Sequence, residues 1–211
     1  MNFTGLDITE ALTEKEGITL QNIARDNLKE GSIAIEIGSW KGHSSAFIGE
    51  ITKEKQAHLY CIDHWLGTEG VFHHNLVKDC FLIFRENINK LGLMDNVSPM
   101  IMSSESANSI VSDNIADMIF IDADHRYKYA RWDIEHWYNK LKVGGVLCGH
   151  DCEKKYTDYS QKEQIIIDNH LVEDYNNEVK CHTGIVKALD EIFGNDYSII
   201  PNTRIWIKIK E

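Results

Sequence analysis

Residues Glu36 to Ser45 read EIGSWKGHSS, and the parsing of this stretch decides the rest. The apolar run from Ile33 to Ile37 carries one acid, Glu36, near its end and then meets Gly38. Gly42 follows after Ser39, Trp40 and Lys41, and His43, Ser44 and Ser45 open a segment of helical character. A short buried strand that leaves through a glycine-bounded turn into a helix is the first half of a β–α–β unit. The two glycines allow the backbone to pass close beneath whatever covers the turn. The N–H groups of His43 to Ser45 would face it from a helix start.

The same alternation repeats along the chain. Strand-type runs are expected at Ser32 to Ile37, Ala57 to Ile62, Val97 to Met102, Asp117 to Ile121 and Val146 to Cys148. Helices are expected at Ile8 to Leu28 (in two pieces around Gly17), Ser44 to Lys53, Leu76 to Leu91, Glu105 to Val111, Lys128 to Leu141 and Gly184 to Phe193. Phe81, Phe84, Ile88 and Leu91 recur at helical spacing, and Gly144-Gly145 is read as the turn that closes the helix ending at Leu141. Tyr197 to Ile200 and Arg204 to Ile209 form two strands about the turn Pro201-Asn202-Thr203. Near-continuous apolar strands alternating with helices imply a parallel sheet covered on both faces. The expected fold is α/β: a three-layer α/β/α sandwich with a seven-stranded, mostly parallel sheet and one antiparallel strand near the C-terminus.

With 211 residues, 43% hydrophobic and 26% charged, the chain is expected to fold as one domain, 1–211. Residues 1–30 form an N-terminal helical extension, and the irregular, polar segment 150–182 reads as a lid or acceptor-side insertion. The balance of 22 basic against 33 acidic residues gives a net charge of −11. That disfavours nucleic acid and an anionic membrane surface as partners, and leaves a small molecule. The start MNFTGLDITEALTEKEG lacks the basic and apolar parts of a signal peptide, and no apolar run approaches the ~20 residues of a membrane span. The five cysteines are odd in number and form no CxxC, so buried reduced thiols in a cytoplasmic protein are expected. Cys148, His150 and Cys152 alternate along one strand end and would not converge on a zinc ion.

The strands end on Glu36-Ile-Gly38, Asp63-His64-Trp65, Ser103-Ser104-Glu105, Asp122-Ala-Asp124-His125 and His150-Asp151. One such acid is commonly a helix N-cap, and Asp122 alone could cap the helix that follows it. Acids at nearly every end gather like charges in one crevice, where they repel unless a cation or hydroxyls absorb them. Beyond the carboxyl ends of the strands is also where such sheets bind ligands. The first turn is GxxxG rather than the GxGxxG of a pyrophosphate cradle. Asp63, 25 residues beyond Gly38, can accept hydrogen bonds from both hydroxyls of a ribose. An adenosine-bearing ligand without a pyrophosphate fits these parts.

Together with the turn SSESA and the segments CIDHWLG, IFIDADHRY, LKVGGVLCGHD and GIVKALDEIFG, the opening stretch resembles the class I S-adenosylmethionine-dependent methyltransferases of Rossmann-like fold. Within them the chain is similar to small bacterial metal-dependent enzymes, the macrolide-sugar O-methyltransferases and cephalosporin hydroxylase-like proteins. The resemblance implies that Glu36 and Gly38, with Ser39 and Ser44, hold the amino end of the methionine moiety. Asp63 would take the ribose, Trp65, Ser104, Glu105 and Ser106 would border the adenine, and His64 would also contact the cofactor. Asp122 would flank the cofactor and, with His150 and Asp151, bind a divalent cation, Mg²⁺ or Mn²⁺. His125 would be the catalytic base beside Asp122. Related enzymes more often have two acids, or an acid and an amide, where His150-Asp151 stands. A His favours Mn²⁺, Fe²⁺ or Zn²⁺ over Mg²⁺, and Asp124 could complete the set in its place.

The implied function is methyl transfer to a hydroxyl of a small polar acceptor: a sugar, a polysaccharide precursor or a secondary metabolite. Two alternatives stay open, a nucleotide-dependent oxidoreductase and a non-catalytic cofactor-binding protein. A homodimer is the base-rate expectation for assembly. Asp122 and Asp151, unpaired and close, would raise each other's pKa and take up a proton near neutrality. Plainer readings are a structural His125, a solvated His73-His74 pair, packing roles for Trp132, His136 and Trp137, and solvated faces for the TEKEG and KEKQ segments.

Overall fold

The structure, a computed structural model, describes residues 3–8, 12–67 and 79–211. His73, His74 and the start of the helix expected from Leu76 lie outside the described residues.

Seven strands form one sheet: β1 (Ile33–Ile37), β2 (His58–Asp63), β3 (Val97–Ile101), β4 (Ala116–Ile121), β5 (Leu141–Gly149), β6 (Ser198–Ile199) and β7 (Trp206–Ile209). Their order across the sheet is β3-β2-β1-β4-β5-β7-β6. β1 pairs in parallel with β2 and β4, β2 with β3, and β4 with β5, while β7 runs antiparallel between β5 and β6. Period-two alternation divides the side chains of each central strand between two cores. Ile35, Ile37, Ile119 and Ile121 enter one, with residues from α4 (Ser104–Ile110), α5 (Tyr127–Tyr138), α6 (Gln161–Asn169) and α7 (Thr183–Phe193). Ala34, Met118 and Phe120 enter the other, against α1 (Glu14–Asn27), α2 (His43–Lys55) and α3 (Cys80–Lys90). Among the described residues no helix is long and apolar enough to cross a membrane.

Two expected boundaries are corrected. The helix read as reaching Leu141 ends at Tyr138, and Leu141 already begins β5. Gly144 and Gly145 lie inside that strand, where the β4–β5 register shifts and both glycines bond to the backbone of Lys210. They make a bulge, not a helix stop. Nor does Gly17 divide α1, which runs unbroken from a capping box between Thr13 and Glu16. A Cβ on Gly17 would lie 2.2 Å from the Phe47 ring, so the glycine lets α1 seat directly on α2.

Residues 150–182 hold a 3₁₀ turn (Tyr156–Asp158) and α6. Cys152, Tyr159, Ile167 and Cys181 from this segment are buried in the core shared with α5 and α7. All five cysteines are buried and free.

Candidate active site

The strand order reverses between β1 and β4, and a cleft of about 710 Å³ opens over their carboxyl ends. Gly38 leaves β1 at φ +86°, and a Cβ there would stand 2.1 Å from the Asp122 carbonyl oxygen. The close neighbour that demands this glycine is the end of β4. Gly42, also left-handed at φ +89°, starts α2 without a side-chain cap. Between them the turn hangs on Asp63. One of its oxygens accepts from Ser39 N at 3.1 Å and Trp40 N at 2.9 Å, the other from Trp65 N at 2.6 Å.

Of the expected cofactor residues, Gly38, Ser39, Ser44, Asp63, His64, Ser104, Glu105 and Asp122 line the cleft. Glu36, Trp65 and Ser106 do not. Glu36 shares the α2-facing side of β1 with Ala34, is fully buried, and accepts a hydrogen bond from Ser45 Oγ. Burial pushes its carboxyl up, opposed by the hydroxyls of Ser44, Ser45 and Ser39. Trp65 packs on Phe81 and Phe84, each with ring centroids 5.0 Å away, and its Nε1 donates to Trp40 O. Ser106 is exposed and bonds to Ser103 in the first turn of α4.

Two residues of α5 add to this wall. Trp132, expected only to pack, stacks on His136 at 4.3 Å and also lines the cleft. Asp133 is buried, accepts from Ser104 Oγ, and has its carboxyl pushed up to about 7 by burial. Trp137 Nε1 in turn donates to Ser104 Oγ at 2.7 Å. An acid beside Ala130, Ile134 and Trp137 on the apolar stripe of a helix was the signal for Asp133.

Under β4 and β5 the structure brings Asp122, His150 and Asp151 together, with one ligand atom from each all within 4.8 Å of one another. Successive residues of a strand point to opposite faces, so His150 and Asp151 converge only because Asp151 turns left-handed, at φ +61°. His150 Nδ1 lies 3.3 Å from Asp151 and 3.9 Å from Asp122. His125 Nε2 lies 3.1 Å from Asp151 and 3.5 Å from Asp122, and its Nδ1 bonds to Asp174 at 2.9 Å. Asp124 is instead forked by Arg126.

At Asp151 the electrostatics run against the expected proton uptake. Burial would raise Asp151, but His125 and His150 outweigh it and hold the carboxyl well below its usual range. Burial would likewise lower the histidines. Asp151, Glu16 and Asp122 nevertheless raise His150 to about 10, and Asp122, Asp151 and Asp174 hold His125 well above its ordinary value.

Four members of this cluster escaped the sequence reading. Arg204 Nη1 donates to Asp151 at 2.5 Å, and His182 Nδ1 stands 3.6 Å from the same residue. Asp174 bonds to His125, and Glu16 Oε1 lies 3.1 Å from His150 Nε2. Glu16 belongs to the TEKEG segment expected to be a solvated face, yet it is only 3% exposed. Its one sequence signal was the capping-box spacing from Thr13.

A reversal of strand order with acids and histidines over it defines a ligand-binding α/β domain, and the comparisons say which. Residues 35–152, more than half of the chain, match the family described as a methyltransferase domain. The chain belongs to this family of class I S-adenosylmethionine-dependent methyltransferases. Solved structures share its fold. A putative caffeoyl-CoA O-methyltransferase from Staphylococcus aureus is 16% identical, over 95% of this chain and 85% of that one, with a TM-score of 0.63. The SAH-bound Podospora anserina methyltransferase PaMTH1 is 18% identical, over 96% and 81%, with a TM-score of 0.62. Cofactor-bound Rv0187 from MTB is 13% identical, over 95% and 82%, with a TM-score of 0.64. The family displaces the oxidoreductase alternative.

Proposed function

We propose that the protein methylates a hydroxyl of a small polar acceptor: a sugar, a polysaccharide precursor or a secondary metabolite. The sulfonium of bound S-adenosylmethionine supplies an activated methyl group, so the chain must provide alignment and a nucleophilic oxygen. The ribose would lie on Asp63 and His64 and the adenine beside Ser104 and Glu105. The amino end would lie at Gly38, Ser39 and Ser44, with Glu36 bracing the turn from behind through its serines. Among the described residues Ser39 Oγ and Glu36 Oε1 are buried there without a hydrogen-bond partner, which suits a turn that receives a charged amino group.

Asp122, His150 and Asp151 are the residues that would hold a divalent cation, and their oxygen and nitrogen donors suit Mn²⁺ better than Mg²⁺. A cation there would lower the pKa of the acceptor hydroxyl. The observation that carries the reading is the position of His125, with Nε2 between Asp122 and Asp151 and Nδ1 on Asp174. Those carboxylates raise the hold of His125 on its proton, which works against a base. With Asp122 and Asp151 committed to a cation, His125 is free to accept the acceptor proton while Asp174 keeps the ring oriented.

The test is His125→Asn, assayed with nucleotide sugars and other hydroxylated acceptors. S-adenosylmethionine binding by calorimetry should persist while turnover falls about 10²–10⁴-fold. Unchanged turnover would remove the base. Full activity after exhaustive EDTA treatment, with no metal by elemental analysis, would leave Asp122 and Asp151 as orienters of His125.

A further inference from the structure

We propose that Glu16, on the N-terminal helix α1, is a positioning residue for the cation site: its carboxylate stands behind His150 and keeps Nδ1 of that imidazole turned toward Asp122 and Asp151. The proposal rests on the cation reading given above.

The two carboxylate oxygens of Glu16 serve different neighbours. Oε2 is consumed by the capping box, accepting from Thr13 N at 2.9 Å and Thr13 Oγ1 at 2.8 Å. Oε1 faces inward, 3.1 Å from His150 Nε2, and accepts from Arg204 N at 3.0 Å. An imidazole has two nitrogens, so a carboxylate at Nε2 leaves Nδ1 to face the cluster. The His150 ring N–H is not aligned on Glu16 well enough to count as a hydrogen bond, so proximity and charge define this contact.

The rest of the local structure looks arranged for that approach. Arg204 ties the two sides together: Nη1 donates to Asp151 and its backbone N–H donates to Glu16, so one proposed ligand and the carboxylate behind the other share one residue. Gly17 follows Glu16 in mid-helix, where glycine costs roughly 0.5–1 kcal/mol relative to alanine. It is what allows α1 to lie against Phe47 closely enough for Glu16 to reach the strand end. A solvated capping glutamate would need neither the burial nor the glycine.

The experiment is a calorimetric Mn²⁺ titration of the metal-free chain, comparing wild type with Glu16→Ala, Glu16→Gln and Thr13→Ala. Thr13→Ala disturbs the cap but leaves Oε1 in place, so it reports a purely structural effect. Glu16→Ala should weaken Mn²⁺ about 10–100-fold, Glu16→Gln should fall between it and wild type, and Thr13→Ala should stay near wild type. S-adenosylmethionine affinity should be unchanged in all three. In Zn²⁺-loaded protein, the His150 Nε2–H resonance should be protected in wild type and lost in Glu16→Ala. Equal losses in Thr13→Ala and Glu16→Ala, or wild-type Mn²⁺ affinity in both Glu16 variants, would overturn the proposal. No Mn²⁺ binding by wild type at millimolar ion would instead overturn the cation reading, and this proposal with it. Should Glu16→Ala fail to fold, the isosteric Glu16→Gln decides.

Discussion

At Gly38 two demands coincide, a positive φ and a Cβ position already taken by the backbone of Asp122. Neither is relieved by turning a side chain, so Gly38→Ala is expected to lose on the order of 3 kcal/mol in urea denaturation. A loss under about 1 kcal/mol would mean the β1 and β4 ends can separate freely. Asp133 makes a different prediction. Burial pushes its carboxyl up to about 7 from an ordinary value of 3.8, so the folded state binds the proton more tightly. Stability from this group is full below pH ~4, falls as the pH rises, and is lost above ~7, by at most roughly 4 kcal/mol. Asp133→Asn keeps an acceptor for Ser104 without the charge. It should raise the melting temperature relative to wild type at pH 8 and leave it nearly unchanged at pH 4. An equal shift at both pH values would rule out the buried charge as the cause.

Among the elements, α7 bears most directly on the proposed base, His125. A Cβ on Gly184, in its first turn, would stand 2.1 Å from His125 O and 2.3 Å from Tyr127 N. Gly184→Ala should therefore push the His125 loop out of line. The expected outcome is a lower kcat with S-adenosylmethionine affinity retained, because the proposed ribose and adenine contacts lie on β2 and α4, away from α7. Weakened cofactor binding in equal measure would point to a general loss of packing. The element pattern itself was legible, because apolar period and glycine turns are local signals and acids at strand ends need only the strands to be found. Gly144-Gly145 misled because a bulge and a helix stop call on the same residue. Trp65 misled because its backbone, at φ +53°, turns the ring into the core. The meeting of Glu16, Asp174, His182 and Arg204 at the cluster was not legible, although Glu16 carried a capping-box signal and Asp174 and His182 lie in the segment read as an acceptor-side insertion. Each reaches the cluster across a long loop of chain, and no local pattern encodes that meeting.

For the whole molecule, cofactor binding should appear as added stability. S-adenosylmethionine or S-adenosylhomocysteine at one hundred times its Kd should contribute about 2.7 kcal/mol, roughly 5–10 °C in melting temperature for a chain of this size. No shift with either ligand would contradict the placement of the cofactor on Gly38, Asp63 and Ser104. The contact between Glu16 and Arg204 spans 188 positions, and that span has a consequence for the order of assembly. On a ribosome adding about 5–20 residues per second, Glu16 would emerge roughly 10–40 s before Arg204. During that interval β1 to β5 can already pair, while Asp151 lacks the guanidinium that later holds it. A nascent chain would thus assemble its cleft before the residue that fixes Asp151 has been made.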